Sequence, residues 1–227
     1  MLIIGHRGAR ALEPENTLRA VRRGMECADF VEVDVRRSKD GIPMVIHDAT
    51  LERTTNGSGL VADHTIEELK DLDAGAGETI PMLYEVLDLV KGKSGLFVEV
   101  KEAGYEEDVC SLLEDSGVLA YFVVSFQRES IRRVKELLPD AKTGLIFSRI
   151  DRDPVRTALS IRADALLPRW DRTTEDLVYR AHRDRLLVFS WTLNTREECG
   201  RAAAIGIDGF ASDDPCAARD YLQREVQ

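Results

Sequence analysis

Residues 31–48 decide the fold and read Val-Glu-Val-Asp-Val-Arg-Arg-Ser-Lys-Asp-Gly-Ile-Pro-Met-Val-Ile-His-Asp. Glu32 and Asp34 alternate with valines, so in a strand both carboxylates point to one face. The Asp-Gly pair at residues 40–41 predicts a tight turn. Because so short a connection cannot make a parallel crossover, the second arm returns antiparallel. The hairpin is expected to bring His47 roughly opposite Asp34, so a carboxylate pair and an imidazole meet at one end of a strand.

The rest of the chain alternates between short apolar strands and amphipathic helices. Without the return arm of the hairpin, the parallel strands are predicted at residues 2–5, 29–35, 95–101, 120–125, 142–147, 165–168, 186–192 and 208–211. Each is followed by a predicted helix, and Asn16 is expected to cap the first one. Eight β-then-α units in a chain of this length predict a (β/α)8 TIM barrel, which typically needs about 250 residues. A doubly wound open sheet is the alternative.

Residues 48–80 interrupt this alternation. They are polar, contain no aromatic residue and carry a capping box at 65–68. We interpret them as a small insertion in a single catalytic domain that spans residues 1–227.

Composition bounds the class of protein. The chain has 227 residues, 44% hydrophobic, with a formal net charge of −10. This acidity argues against nucleic acid as a partner. No apolar stretch reaches the ~18 residues of a membrane span, so no stable membrane association is expected. The cysteines lack metal-site or redox-motif spacing, which predicts reduced thiols in a cytoplasmic protein. They are Cys27, Cys110, Cys199 and Cys216.

If the barrel is correct, functional side chains lie at the carboxyl ends of its strands. The candidates do lie at or just beyond the ends of predicted strands: His6 and Arg7, Glu32 and Asp34, Glu99 and Lys101, Ser125 and Phe126, and Trp191. The hairpin adds His47. Any one of them has an ordinary structural interpretation, such as a packing histidine or a cross-barrel ion pair. Independent structural residues, however, have no reason to gather on one rim.

The chemistry of this set indicates a reaction at a phosphodiester. Three carboxylates without a thiolate, Glu32, Asp34 and Glu99, suit Mg²⁺ or Ca²⁺ better than zinc. Two histidines supply a general acid and a general base near neutral pH. Arg7 and Lys101 add positive charge for an anionic group.

Motifs in this order resemble the glycerophosphodiester phosphodiesterase family. They are His6-Arg7-Gly8, Pro14-Glu15-Asn16-Thr17, Glu32-Val33-Asp34, Lys39-Asp40-Gly41, His47-Asp48, Arg53-Thr54-Thr55, Ile80-Pro81 and Glu99-Val100-Lys101. The match continues more weakly through Ser125-Phe126, Trp191-Thr192-Leu193-Asn194 and Asp213-Asp214-Pro215. Met82 and Ser212 depart from the family pattern without touching the expected chemistry.

The resemblance implies a TIM barrel that hydrolyses deacylated phospholipids to sn-glycerol 3-phosphate and an alcohol. It also implies a divalent metal at Glu32, Asp34 and Glu99, with His6 and His47 as acid and base. Arg7 and Lys101 would contact the phosphate, and Trp191 would pack on the glycerol or alcohol side.

Two routes remain open: attack by the substrate's own 2-hydroxyl through a cyclic phosphate, and direct attack by water. Two other functions also remain. The first is a lysophospholipase D at a membrane, which the acidic, aromatic-free insertion disfavours. The second is a non-catalytic phosphodiester-binding barrel, which the presence of all the chemical groups disfavours.

Overall fold

Parallel strands of the chain close into a ring. The computed structural model describes residues 1–149 and 153–224. The strands are β1 (Leu2–Gly5), β2 (Phe30–Arg37), β3 (Pro43–Val45), β4 (Gly95–Val100), β5 (Tyr121–Ser125), β6 (Lys142–Phe147), β7 (Ala165–Pro168), β8 (Leu187–Ser190) and β9 (Gly209–Ser212). Pairing runs β1-β9-β8-β7-β6-β5-β4-β2, and β2 pairs back with β1. This closure confirms the (β/α)8 barrel and excludes the open sheet.

Helices connect the strands. They are α1 (Leu18–Met25), α2 (Ile66–Lys70), α3 (Leu83–Val90), α4 (Glu106–Ser116), α5 (Arg128–Leu137), α6 (Pro154–Ser160), α7 (Glu175–Arg183), α8 (Arg196–Ile205) and α9 (Pro215–Arg224), with 3₁₀ turns at Val61–Asp63 and Trp170–Arg172. Within the described residues, no helix is both long enough and apolar enough to span a membrane.

Two apolar regions support the barrel. Aromatic rings fill its interior: Phe97 and Phe122 stack with centroids 4.6 Å apart, and Phe189 meets both edge-on. A second apolar region lies between the strands and the helices, where valines of β2 and β4 pack against α3 and α4. Side chains therefore fill the barrel as a core, and polar groups can gather only at its ends.

The hairpin is formed by the C-terminal part of β2 and by β3, which pair antiparallel with Val45 opposite Val35. Its turn is closed by Ser38, whose hydroxyl accepts a hydrogen bond from Ile42 N–H at 2.8 Å. Gly41 takes a positive φ of 91°, which favours glycine. The predicted antiparallel return is present, and Ile46, the residue before His47, lies directly opposite Asp34. Ile46 N–H donates to Asp34 C=O at 3.0 Å, so His47 lies one residue beyond the pair.

The insertion after the hairpin has an apolar core of its own. The buried members of this cluster, two of them from the hairpin arm, are Met44, Ile46, Leu51, Val61, Leu69, Ala74 and Ile80. The predicted capping box is present at Thr65 and Glu68. The hairpin turn anchors this segment, because Lys39 N–H donates to His64 C=O at 2.9 Å and the Asp40 carboxylate accepts from Ile66 N–H at 3.2 Å. The division into one domain with an insertion at 48–80 stays a prediction.

The prediction that Asn16 caps the first helix was wrong. Thr17 is the N-cap, and its hydroxyl accepts from Ala20 N–H at 3.1 Å. Asn16 instead has a left-handed φ of 57° and uses its side chain to hold Asp34. Asparagine is one of the few residues that tolerate this backbone region.

The expectation of reduced thiols was also wrong for one pair. Cys27 and Cys216 form a disulfide between residues that are 189 positions apart in sequence. Spacing along the chain gave no indication of this pair, since the closed barrel brings its first and last βα units together. Cys110 and Cys199 are buried thiols.

Candidate active site

A tight turn after β1 places His6 and Arg7 at the rim. His6 N–H donates to Ser212 C=O at 2.9 Å, which extends the β1–β9 pairing by one residue. Arg7 and Gly8 then take positive φ values of 49° and 84°. A Cβ on Gly8 would lie 2.4 Å from the backbone of Ala20, so only glycine fits there. The turn aims Arg7 N–H at the Glu32 carboxylate, at 2.8 Å.

Three carboxylates meet at the ends of two neighbouring strands. Asp34 of β2 is in register with Glu99 of β4, and Glu32 lies two residues earlier on the same face of β2. One oxygen from each lies within 4.8 Å of the others. Glu32 and Asp34 are buried. Glu32 Oε1 has no hydrogen-bond partner among the residues that the structure describes, which is rare for a buried carboxylate oxygen and indicates a site built for an additional ligand.

Cationic and amide side chains surround the Asp34 carboxylate. Lys101 Nζ lies 3.2 Å from Asp34 Oδ1 and 2.5 Å from Glu99 Oε1. Arg7 Nε is 3.2 Å from Asp34 Oδ2. The Asn16 amide donates to the same oxygen at 2.8 Å.

The three acids differ in protonation because their neighbours differ. Burial alone would raise the pKa of Asp34, but the charges of Lys101 and Arg7 outweigh it and lower this pKa to about 2. Burial and then the charge of Asp34 raise the pKa of Glu99 to about 7, despite Lys101. Burial, followed by the charges of Asp34 and Glu99, also raises the pKa of Glu32 well above its usual range. The positive charges of Lys101 and Arg7 therefore do not fully compensate the three carboxylates.

These residues fit a divalent cation. The donors are carboxylate oxygens, which Mg²⁺ and Ca²⁺ prefer and which lack the softness that selects transition metals. A bound cation would give Glu32 Oε1 a partner. It would also lower the raised pKa values of Glu32 and Glu99. Among the described residues, these three carboxylates are the group that could hold a metal ion.

The two histidines are held in the same way. His6 Nδ1 lies 2.6 Å from Asp213 Oδ1, while its Nε2 lies 4.0 Å from Glu32 Oε2. His47 Nδ1 lies 2.5 Å from Asp48 Oδ1. In each case a carboxylate engages Nδ1, which leaves Nε2 as the nitrogen for chemistry.

An ion-pair chain supports His47. The Arg53 guanidinium contacts Asp48 through Nε at 2.5 Å and Glu15 through Nη2 at 2.8 Å, and Glu15 contacts Arg7 at 2.7 Å. Burial lowers the pKa of His47, and the charges of Lys101 and Arg7 lower it further, against the opposing effect of Asp34.

An aromatic wall faces the charged groups. Trp191 and Phe126 meet edge to face, with centroids 5.8 Å apart. The indole N–H of Trp191 donates to Leu167 C=O at 2.8 Å, so the ring offers apolar surface to a ligand. Ser125 is buried, and its hydroxyl donates to Val100 C=O, so its role is structural.

These groups line one open cavity. Of the residues proposed from the sequence, it exposes His6, Arg7, Glu32, His47, Glu99, Lys101 and Trp191, with Asp34 buried beneath them. No role was predicted from the sequence for Glu15, Asp48, Arg53, Asn194 or Asp213, and Asn16 was predicted only as a helix cap. A signal existed for Asp213, since it follows β9 as His6 follows β1.

Comparison with known proteins decides the family. The model of the glycerophosphoryl diester phosphodiesterase family matches residues 6–217. The chain belongs to this family. It is 38% identical to a glycerophosphodiester phosphodiesterase of Caldanaerobacter subterraneus subsp. tengcongensis, over 94% of each chain. This family membership, anticipated from the motifs, makes the chain a phosphoric diester hydrolase.

Solved structures of the family share the fold. A phosphodiesterase of Oleispira antarctica, described in complex with the product sn-glycerol-3-phosphate, superposes with a TM-score of 0.90 at 27% identity and covers 98% of this chain and 97% of its own. A glycerophosphodiester phosphodiesterase of Agrobacterium tumefaciens superposes with a TM-score of 0.87 at 27% identity, over 97% and 99%.

Proposed function

We propose that this chain hydrolyses glycerophosphodiesters to sn-glycerol 3-phosphate and an alcohol, using a divalent cation, Mg²⁺ or Ca²⁺, and two histidines. One observation carries the proposal. The three carboxylates, the positively charged side chains of Arg7 and Lys101, and two histidines anchored through Nδ1 gather at a single cavity. The product bound to the Oleispira antarctica relative supports the same substrate class.

Glu32, Asp34 and Glu99 would hold the cation, which would stabilise negative charge on the phosphate and make a hydroxyl more acidic. The protein contributes a rigid, buried set of donors. Asp34 is fixed by Asn16, and Glu32 by the backbone of Arg7.

Lys101 and Arg7 would orient the phosphate. An ammonium has three N–H donors, and among the described residues those of Lys101 engage Glu99 and Asp34, so one is left for an anion. The guanidinium of Arg7 is anchored through Nη1 to Glu15 and faces Asp34 through Nε. Both charges therefore sit in fixed positions, which matters because positioning accounts for much of the rate of an intramolecular attack.

His6 and His47 would move the protons. One histidine removes the proton of the attacking hydroxyl, while the other donates a proton to the alcohol oxygen as its bond to phosphorus breaks. If the substrate's 2-hydroxyl attacks, a cyclic phosphate forms, and water opens it with the histidines exchanging roles. If water attacks directly, one step gives both products. We favour His6 as the first base.

Trp191 would contact the glycerol or alcohol portion through its ring face, because its N–H is already engaged. The cytoplasmic location stays a prediction, and the Cys27–Cys216 disulfide does not support it, since disulfides persist mainly in oxidising compartments.

The direct test is release of glycerol 3-phosphate from glycerophosphocholine with added Mg²⁺ or Ca²⁺, compared with the same protein in EDTA. We expect cation-dependent turnover. Folded protein with no turnover of any glycerophosphodiester would contradict the proposal, and binding without turnover would favour a non-catalytic barrel. A diester lacking the 2-hydroxyl separates the routes, because normal turnover of it rules out the cyclic phosphate.

The incompletely compensated charge of these carboxylates predicts how cation binding depends on pH. The folded pKa of Glu99 is raised from 4.5 to about 7. Its contribution to the free energy of unfolding is therefore fully present below pH 4.5 and is lost as pH rises through about 7. Asp34 stays charged over this whole range because its pKa is about 2.

A bound cation compensates the charge that Glu99 gains at high pH and so restores the lost stability. Mg²⁺ or Ca²⁺ should therefore raise the Tm more at pH 8 than at pH 5. Differential scanning fluorimetry measures this shift. Glu99→Gln should make the cation-free Tm depend less on pH. An equal cation shift at both pH values, with Glu99 intact, would show that these carboxylates do not bind the ion.

A further inference from the structure

We propose that Asp213 and Asn194 form a positioning clamp that holds His6 in the tautomer with its proton on Nδ1, so that Nε2 alone serves the reaction. This inference rests on the proposed function for its catalytic consequence, but its structural part can be tested without turnover.

Strand register brings the clamp to His6. β1 and β9 pair with Gly5 opposite Ser212, and His6 N–H continues the ladder to Ser212 C=O. His6 and Asp213 are therefore the next residues on two adjacent strands, at the edge where both leave the barrel. Their side chains meet at 2.6 Å between Nδ1 and Oδ1, and both side chains are only 14% exposed.

Asn194 holds Asp213 at two points. Asp213 N–H donates to Asn194 Oδ1 at 2.9 Å, and Asn194 Nδ2 donates to Asp213 Oδ2 at 2.9 Å. Because a backbone N–H can only donate, the oxygen of the amide must face it, and the amide NH₂ must face the carboxylate. The Glu198 carboxylate in turn accepts from Asn194 N–H at 2.9 Å. Arg10 Nε, 3.0 Å from Asp213 Oδ1, keeps the carboxylate charged.

The donors and acceptors then dictate the tautomer of His6. An ionised carboxylate only accepts, so a neutral imidazole at 2.6 Å from it must carry its proton on Nδ1. Nε2, which lies 4.0 Å from Glu32 Oε2, then carries the lone pair. In that state His6 can take a proton through Nε2 and later return it through the same atom. Without the clamp, the proton can move to Nε2, and that nitrogen no longer serves as a base.

Asp213→Asn tests the clamp because an amide, unlike a carboxylate, can accept hydrogen bonds at only one of its two ends. The new amide cannot accept from the Asn194 NH₂ and from His6 Nδ1–H at once. We expect its oxygen to turn to the Asn194 NH₂, so that its own NH₂ faces His6 Nδ1 and Arg10 Nε and favours the proton on His6 Nε2. We expect kcat to fall about 100-fold, as for other carboxylates that orient a catalytic or ligating histidine. KM and the affinity for Mg²⁺ should change little, since neither the cation site nor the phosphate contacts are altered.

The exchange Asn194→Asp with Asp213→Asn should restore the tautomer. The carboxylate at 194 then accepts from the amide NH₂ and the backbone N–H at 213, so the amide oxygen at 213 again faces His6. We expect the double variant to recover at least tenfold in kcat over Asp213→Asn. A double variant no more active than the single one would overturn the proposal.

The tautomer can be read directly by ¹⁵N-detected histidine NMR, which distinguishes a protonated Nδ1 from a protonated Nε2. The chain has only four histidines, and the His6 signals are assigned by their loss in His6→Ala. We expect protonated Nδ1 in the wild type and in the double variant, and protonated Nε2 in Asp213→Asn. A wild-type His6 protonated on Nε2 would overturn the clamp. If the wild type has no diesterase activity, the NMR result still stands, so failure of the clamp and failure of the proposed function are distinguishable.

Discussion

His6→Ala and His47→Ala are each expected to lower kcat for glycerophosphocholine by about 10²- to 10⁴-fold, the usual range for loss of a general acid or base. Each histidine is anchored through Nδ1, and both line the cavity that contains the three carboxylates. No other described histidine lines that cavity, so none can take over the proton transfer. Steady-state kinetics with saturating Mg²⁺ measures the loss.

A second substrate separates the two roles. A diester with a p-nitrophenyl leaving group needs little help from a general acid, because the phenolate leaves without a proton. The variant that lacks the acid should therefore keep much more of its activity on this diester than on glycerophosphocholine. The variant that lacks the base should lose a similar factor on both. We expect His47→Ala to behave as the acid variant in the first step.

His64→Ala is the matched control. His64 lies in the insertion near the hairpin turn, its ring contacts Leu60 C=O, and it does not line the cavity. It should keep kcat within a small factor of the wild type. A loss at His64 as large as that at His47 would show that the insertion, rather than proton transfer, limits the rate.

Insertion of one residue between Asp40 and Gly41 is expected to abolish diesterase activity while the barrel stays folded. A one-residue shift of register turns alternate side chains of the return arm to the other face. That arm places His47 through the contact of Ile46 N–H with Asp34 C=O, and it supplies Met44 to the core of the insertion. The eight strands of the ring pair without β3, so they have no reason to change.

Circular dichroism and activity together measure this effect. Insertion of one residue after Gly77 is the control, because Gly77 lies in an exposed turn of the same segment. It lengthens the same segment without shifting the hairpin and should leave most of the activity. Loss of the circular-dichroism signal along with activity in the Asp40–Gly41 insertion would show that the hairpin is part of the barrel's folding unit.

The sequence by itself determined the order of elements and the rim on which the chemistry lies. Alternation of apolar strands with helices is a local pattern, and the short Asp-Gly connection at 40–41 allowed only an antiparallel return. Residues that follow parallel strands share one edge of a barrel. For this reason the sequence placed Glu32, Glu99 and His6 in one site without any tertiary information.

Only the tertiary structure decided which partner each of these groups has. The contacts of His6 with Asp213 and of Cys27 with Cys216 join the two ends of the chain, and no periodicity encodes closure of a ring. Asn16 was predicted to be a helix cap from its local preference. In the folded chain it instead takes a left-handed backbone conformation, and its amide donates to the buried carboxylate of Asp34. Local patterns report backbone preference and burial, whereas donor and acceptor matching between distant strands depends on register, which exists only in the folded barrel.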